Sequence, residues 1–307
     1  MFKSGFISII GNTNVGKSTL INALINQKIS ITSYKSQTTR DAIIGIDTSS
    51  CYQFIFIDTP VLYANNKYLL NKMMYQVTLK SLNEADIILL VVDQAYQQTS
   101  REQKFLDLLR KYNKKIILVV NKMDLYKKIV IDKIILSYVK KFNFDAVVPI
   151  SSINNNNNNI NILKQHILEF LPEGEIYYPP HIKTNINQNK FISELIREKI
   201  LYYLHQEIPH ASTVLIENIS PINSSAVVNI SALILIEKNN QKKILIGNQG
   251  NMLKKIGIEA RKDIEQILNK KIYLDLWVKV EKKWRNNINS LRKIGISVNF
   301  NYKNSKG

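Results

Sequence analysis

The sequence predicts two consecutive domains: an α/β unit built on a mostly parallel sheet, then a smaller α+β unit. Three observations carry that reading. Short, nearly continuous apolar runs alternate with helix-patterned segments through residues 1–170, the signature of strands buried on both faces of a parallel sheet. The stretch LPEGEIYYPPH (171–181) breaks this rhythm with three prolines and a glycine. Beyond it the order of elements changes to helix, strand, strand, helix, strand. The expected boundaries are a first domain at 1–172, a linker at 173–185 and a second domain at 186–307.

The elements follow in order. FISII (6–10) reads as the first strand and leads into a helix from about Lys17. YQFIFI (52–57), DIILLVV (86–92), KIILVV (115–120) and AVVPI (146–150) read as further buried strands. REQKFLDLLRKY (101–112) and KIVIDKIILSYVKKF (128–142) read as helices between them. An asparagine run at 154–159 precedes the domain's final helix, where a polar loop lengthens at little entropic cost. In the second domain a helix spans about 190–206, and TVLIENI (213–219) and AVVNISALILIEK (226–238) are strands. GNQG (247–250) follows that second strand and opens a basic helix running to about Leu268. IYLDLWVKV (272–280) is the last strand, and a final helix starts near Trp284.

A chain of 307 residues, 45% hydrophobic and 21% charged, is long enough for two cores. Its one cysteine, Cys51, excludes a disulfide framework within the chain and suits a reducing, cytoplasmic setting. The opening apolar run is too short for a secretory signal, and no stretch of 18 apolar residues predicts a membrane span. The net charge is +18. Residues 1–180 hold 21 Lys and Arg against 14 Asp and Glu (+7), and residues 181–307 hold 21 against 10 (+11). A lysine-rich coding bias explains part of the excess but not its concentration in the second half. That concentration points to a polyanionic partner, nucleic acid or an anionic membrane face.

GNTNVGKS (11–18) fits the G-x-x-x-x-G-K-[ST] phosphate loop between a strand and a helix. Backbone N–H groups from Gly11, Asn12, Thr13, Asn14, Val15 and Gly16 can curl around phosphate oxygens. Lys17 reaches the terminal phosphates, and the Ser18 hydroxyl can ligate Mg²⁺. Asp58, at the end of FIFID, is placed to hold the same ion through water. Alone it would read as a turn-starting aspartate before Thr59 and Pro60. KISITSYKSQTTRD (28–41) is a hydroxyl-rich loop in which Thr39, with Thr38 in reserve, can meet the metal only when a γ-phosphate is bound. A plain Ser/Thr-rich turn is the alternative.

NKMD (121–124) follows a buried strand. Asp124 can accept both N1–H and the exocyclic amine of guanine, which selects GTP over ATP. Asn121 and Lys122 brace that loop, and Ser151–Ser152 offer a backbone N–H to the guanine oxygen. Thr19, Val61, Leu62 and Met123 complete the expected nucleotide-binding set. In the second domain, Gly247, Asn248, Gln249 and Gly250 form a G-x-x-G loop that admits a nucleic-acid backbone, with Lys254, Lys255, Arg261 and Lys262 for phosphates. The histidines at 166, 181, 205 and 210 are too scattered for a metal site.

Together these motifs resemble the Era family of bacterial GTPases, which carry a C-terminal KH domain of the prokaryotic (type II) topology. The likeness spans nearly the whole chain and includes KISITSYKSQTTR, DTP, NKMD, FISELIREKIL (191–201), ILIGNQGNMLKKIGIEARKDIE (244–265) and LDLWVKV (274–280). The resemblance implies a P-loop GTPase domain and Mg²⁺-dependent GTP hydrolysis. It also implies binding of the single-stranded 3′ region of small-subunit ribosomal RNA during assembly of the small ribosomal subunit, by a monomer, with some peripheral contact at the inner face of the cell membrane.

Three positions depart from the family pattern: Thr13 replaces proline, Ser151–Ser152 replaces Ser-Ala, and Val61 replaces the glycine after Asp-Thr-Pro. Valine keeps the N–H but is strained by about 1–3 kcal/mol if a positive φ is required. Leu62 stands where Ras-like proteins carry a water-orienting glutamine. In families with a hydrophobic residue there, a P-loop asparagine helps bind K⁺, and Asn14 matches it. The expected catalytic groups are therefore Lys17, Thr39 and Asn14. The alternative, which Val61 raises, is a nucleotide-gated RNA-binding assembly factor with little or no hydrolysis.

Overall fold

The computed structural model describes residues 1–35, 38–60, 67–153, 159–221 and 227–296. The first domain runs β1 (Lys3–Gly11), α1 (Lys17–Ile25), β2 (Ile43–Thr48), β3 (Tyr52–Asp58), α2 (Leu69–Glu84), β4 (Ile87–Val92), α3 (Ser100–Arg110), β5 (Lys115–Val120), α4 (Lys128–Val139), β6 (Ala146–Pro149) and α5 (Asn159–Phe170). Its sheet has the order β2-β3-β1-β4-β5-β6. Every pairing is parallel except β2 with β3. The inner strands are nearly continuously apolar because both faces are covered. Leu20, Leu24, Leu163 and Ile167 of α1 and α5 pack on one face, and Leu106, Leu109, Ile131 and Ile134 of α3 and α4 on the other. Ligands of such sheets bind at the carboxyl ends of the strands, where β1, β3 and β5 deliver Gly11, Asp58 and Asn121.

The second domain runs α6 (Gln188–Tyr203), α7 (Ile208–Ala211), β7 (Thr213–Pro221), β8 (Val228–Ile236), α8 (Asn239–Ile246), α9 (Asn251–Leu268), β9 (Ile272–Val280) and α10 (Ile288–Lys293). Its sheet is β7-β8-β9, with β7 antiparallel and β9 parallel to β8. Ile256, Ala260 and Ile264, at four-residue spacing on α9, join Leu195, Ile196 and Ile200 of α6 in the core beneath it.

Some elements differ from the sequence reading. β2 and α2 are not marked by it, because Gly45 and Asp47 break the short apolar run of β2 and Asn71, Lys72, Gln76 and Lys80 interrupt that of α2. GNQG does not follow a strand directly, since α8 intervenes and the glycine loop joins two helices. The last helix begins at Ile288, after a 3-10 turn at Trp284–Asn286. The stretch expected as a linker has no regular element, yet it lies along the first domain. Gly174 N donates to Phe2 O, Ile46 N donates to Lys183 O, and Thr184 pairs with Gly45. Its prolines rule out a strand ladder while its remaining amides and carbonyls occupy open sheet edges.

Candidate functional site

The phosphate loop turns sharply between β1 and α1. Gly16 caps α1 with φ +94°, and a Cβ there would lie 2.3 Å from Asn121 Nδ2, so backbone conformation and close packing both demand glycine. Lys17 is buried, and its Nζ donates to Gly11 O (3.1 Å) and Asn12 O (2.8 Å). Burial lowers its pKa to about 8, against the opposing pull of Asp58 and Asp93. Among the described residues no carboxylate forms an ion pair with this cation, so its ammonium is available to an anionic ligand in the cleft. Asn12, Thr13 and Asn14 are exposed on the rim, and Val15 is tucked into the core.

Three oxygens expected to hold a metal converge from separate elements. Ser18 Oγ lies 2.8 Å from Asp58 Oδ2 and 3.0 Å from Thr39 Oγ1, and Thr39 Oγ1 is 3.3 Å from the same carboxylate oxygen. Asp58 is fully buried and its Oδ1 has no hydrogen-bond partner among the described residues. Burial raises its pKa, opposed by Lys17 and three hydroxyl hydrogen bonds. A buried carboxylate with a bare oxygen beside two hydroxyls is a hard-oxygen donor set of the kind Mg²⁺ takes. The third hydroxyl is Ser30 Oγ at 2.9 Å, which sequence reasoning missed because one serine in a Ser/Thr-rich loop carries no distinguishing signal.

Across the loop, Asn121 is a brace. Its Nδ2 donates to Val15 O (2.8 Å), and its Oδ1 accepts from Ser152 N (3.1 Å) and Ser152 Oγ (2.8 Å). Lys122, at φ +61°, donates to Asn14 O and pairs with Asp93 at 2.7 Å. Met123 N donates to Ile150 O, and Ser151 Oγ donates to Asp124, which stays exposed in a 3-10 turn. Thr59 Oγ1 ties the end of β3 to Ile9 O, and Pro60 O accepts from Thr78 on α2. Thr19 lies in the first turn of α1 and lines the cleft. Val61 and Leu62 lie outside the described residues, as do residues 154–158 of the asparagine run.

A cavity of about 740 Å³ opens over Lys17, Ser18 and Thr39 and extends to Glu198, Lys199 and Tyr202 of α6. It leaves Asp124 outside, so the phosphate half of the site is a cleft shared by both domains and the base half an open shelf.

On the second domain, a shallower cavity of about 370 Å³ beside the G-x-x-G loop includes Gly250, Lys254, Arg261 and Tyr273. Gln249 sits at φ +50°. Gly250 has φ +78°, and a Cβ there would meet nothing within 4 Å, so the loop is open to an approaching chain. Gly247 and Asn248 complete the turn between α8 and α9. The four basic residues divide between two faces of α9. Lys254 and Arg261 line the groove, whereas Lys255 lies over the Tyr203 ring (4.4 Å) and Lys262 pairs with Glu259 (2.6 Å). No helix among the described residues is long and apolar enough to cross a membrane.

Comparison with known proteins agrees with both halves. The family model described as a 50S ribosome-binding GTPase matches residues 6–122, and the KH domain model matches 207–285. GTPase Era of Caldanaerobacter subterraneus subsp. tengcongensis is 41% identical over 297 residues, covering 97% of this chain and 99% of that protein. A crystal structure of Era in complex with MgGDPNP and nucleotides 1506–1542 of 16S ribosomal RNA superposes with TM-score 0.91 at 34% identity, covering 97% of this chain and all (100%) of that one. The structure of Aquifex aeolicus Era Y63A bound to GDP·AlF4⁻ matches equally, with TM-score 0.91, 34% identity and coverage of 96% and 100%. With this identity sustained across both domains, the chain belongs to the Era family of GTPases, in which a P-loop GTPase domain is followed by a C-terminal KH domain.

Proposed function

We propose that this GTPase binds GTP with Mg²⁺ at the phosphate loop, and in that state its KH domain binds the single-stranded 3′ region of small-subunit ribosomal RNA to assist small-subunit assembly. The observation that carries the nucleotide half is the convergence of Ser18, Thr39 and Asp58 beside Lys17. The MgGDPNP and ribosomal RNA bound by the similar Era structure support the reading. Ser18 and Thr39 would bind the ion directly and Asp58 through water, and the ion would neutralise charge on the phosphates.

The protein's own groups act mainly by positioning. Lys17 reaches the terminal phosphates, whose charge favours its ammonium form. Asn121 holds the phosphate loop and the guanine loop at a fixed separation, and Asp124 selects the purine. Asn14 would help hold K⁺ in place of an arginine finger. Equal hydrolysis in Na⁺ and K⁺ at matched ionic strength would refute that role. For RNA, Gly247–Gly250 admit the backbone while Lys254 and Arg261 meet phosphates.

Single-turnover GTP hydrolysis by the natural chain and by Val61→Gly tests the enzymatic reading. Hydrolysis by both supports it. Turnover that emerges only on restoring glycine favours the nucleotide-gated assembly factor that scarcely hydrolyses. The +18 charge also suits transient contact of a cytoplasmic monomer with anionic lipid, which sedimentation with anionic vesicles at two salt concentrations would reveal.

A further inference from the structure

The loop that carries Thr39 is built into the second domain at several points. Ile31 is 1% exposed and belongs to the core cluster of α6, β8 and α9. Thr32 N donates to Glu198 Oε1 at 2.8 Å, and Lys28 Nζ meets the other oxygen of that carboxylate at 2.6 Å. Thr38 O accepts from the guanidinium of Arg197, which is 1% exposed and aligned by Glu194 at 2.8 Å. Arg40 crosses in the opposite direction. Its buried guanidinium donates to Ser212 O (2.7 Å), His210 O (3.0 Å) and Pro209 O (3.2 Å), and lies 5.8 Å from the Trp284 ring centre.

Ser18 and Asp58 need no such help, since α1 and β3 fix them inside the first domain. Thr39 alone among the three oxygen donors rests on an irregular segment. Its neighbours on both sides are gripped by the other domain: Thr38 through its carbonyl, beside one hydroxyl bond to Lys35 O (2.7 Å) within the loop, and Arg40 through its guanidinium.

We propose that Arg197 and Glu198 of α6 are positioning residues for Thr39, so that the KH domain holds the γ-phosphate-sensing threonine in its metal-binding position from outside the GTPase domain. The inference rests on the assignment of Thr39 to the metal. Because Thr39 engages the ion only when a γ-phosphate is present, loosening its support weakens GTP binding and leaves GDP binding alone. By the same linkage, a displacement of α6 relative to the GTPase domain changes the preference between the two nucleotides.

The test is the ratio of affinities for a non-hydrolysable GTP analogue and for GDP, measured on the full chain with Mg²⁺. Arg197→Ala and Glu198→Ala are each expected to lower the analogue-to-GDP preference about tenfold with GDP affinity unchanged, and Arg197→Lys to restore part of it. A purely structural role would weaken both nucleotides together. Either that result or an unchanged ratio overturns the proposal. If Arg197→Ala is too unstable to measure, Glu198→Ala, at the rim of the cleft, decides by the same ratio. Thr39→Ala separates the two levels of inference. If it changes the ratio and the α6 variants do not, only the positioning role fails. If it changes nothing, the assignment of Thr39 fails and the positioning role with it.

Discussion

Replacing Asn121 with alanine removes a side chain that bonds the phosphate loop and the Ser151–Ser152 loop at once. Three hydrogen bonds disappear: Nδ2 to Val15 O at 2.8 Å, and Oδ1 from Ser152 N at 3.1 Å and Ser152 Oγ at 2.8 Å. The serine hydroxyl can rotate to another partner, but the Val15 carbonyl and the Ser152 amide are backbone groups that cannot. Val15 is 3% and Ser152 6% exposed, so water reaches neither readily. Stranding a buried polar group costs about 1–3 kcal/mol, and two such groups give a central expectation of about 4 kcal/mol. For a domain of this size that lowers Tm by roughly 8–16 °C. Differential scanning calorimetry of the full chain, with and without GDP, isolates the nucleotide-sensitive transition from that of the KH domain, since two domains need not melt as one. GDP and GTP-analogue affinities should fall together, because both share the phosphate loop and the base. A Tm change under about 2 °C, or loss of GTP affinity with GDP affinity retained, would refute the brace.

Four further predictions follow the same logic. Gly16→Ala places a Cβ 2.3 Å from Asn121 Nδ2 at φ +94°, and equilibrium dialysis with GDP should show nucleotide binding lost while far-UV circular dichroism stays native. Trp284→Ala empties a wholly buried site at the domain junction and abandons the Nε1 bond to Ala211 O. Unfolding in urea should show a loss of about 3–5 kcal/mol. Asn248→Asp with Gln249→Asp puts two anions on the open G-x-x-G loop. Single-stranded RNA binding should be lost in a filter-binding assay while GTP binding is untouched. Burial lowers the pKa of His210, reinforced by Arg40, Lys35, Arg285 and Arg197. The unfolded chain therefore binds the proton more readily, and stability falls as pH drops below 6.5 towards the folded pKa. His210→Gln should flatten that part of the Tm-against-pH curve.

The candidate nucleotide site was legible in the sequence because its determinants are local. A glycine-rich turn after an apolar strand, a carboxylate at a strand end and NKMD after another buried strand each state their chemistry within a few residues. The Ser18–Asp58 contact follows once β1 and β3 are recognised as parallel neighbours, and it is observed at 2.8 Å. The elements that escaped, β2 and α2, have apolar patterns interrupted by Gly45 and Asp47 and by Asn71, Lys72 and Gln76, respectively. Helical periodicity already separates Lys254 and Arg261 from Lys255 and Lys262, because positions seven apart share a face while 254 and 255 do not. Composition, which counts all four alike, conceals that division.

By itself, then, the sequence determined the two-domain order, the candidate phosphate and guanine loops and the G-x-x-G turn, since each depends on residues close in the chain. Only the tertiary structure decided that Ser30 shares Asp58 with the hydroxyls of Ser18 and Thr39, and that Arg197 and Glu198 clasp a loop about 160 residues upstream. The physical reason is that a hydrogen bond between a side chain and a distant backbone amide or carbonyl leaves no trace in local periodicity. An arginine that grips a distant loop and one that faces water look identical in the chain until burial distinguishes them.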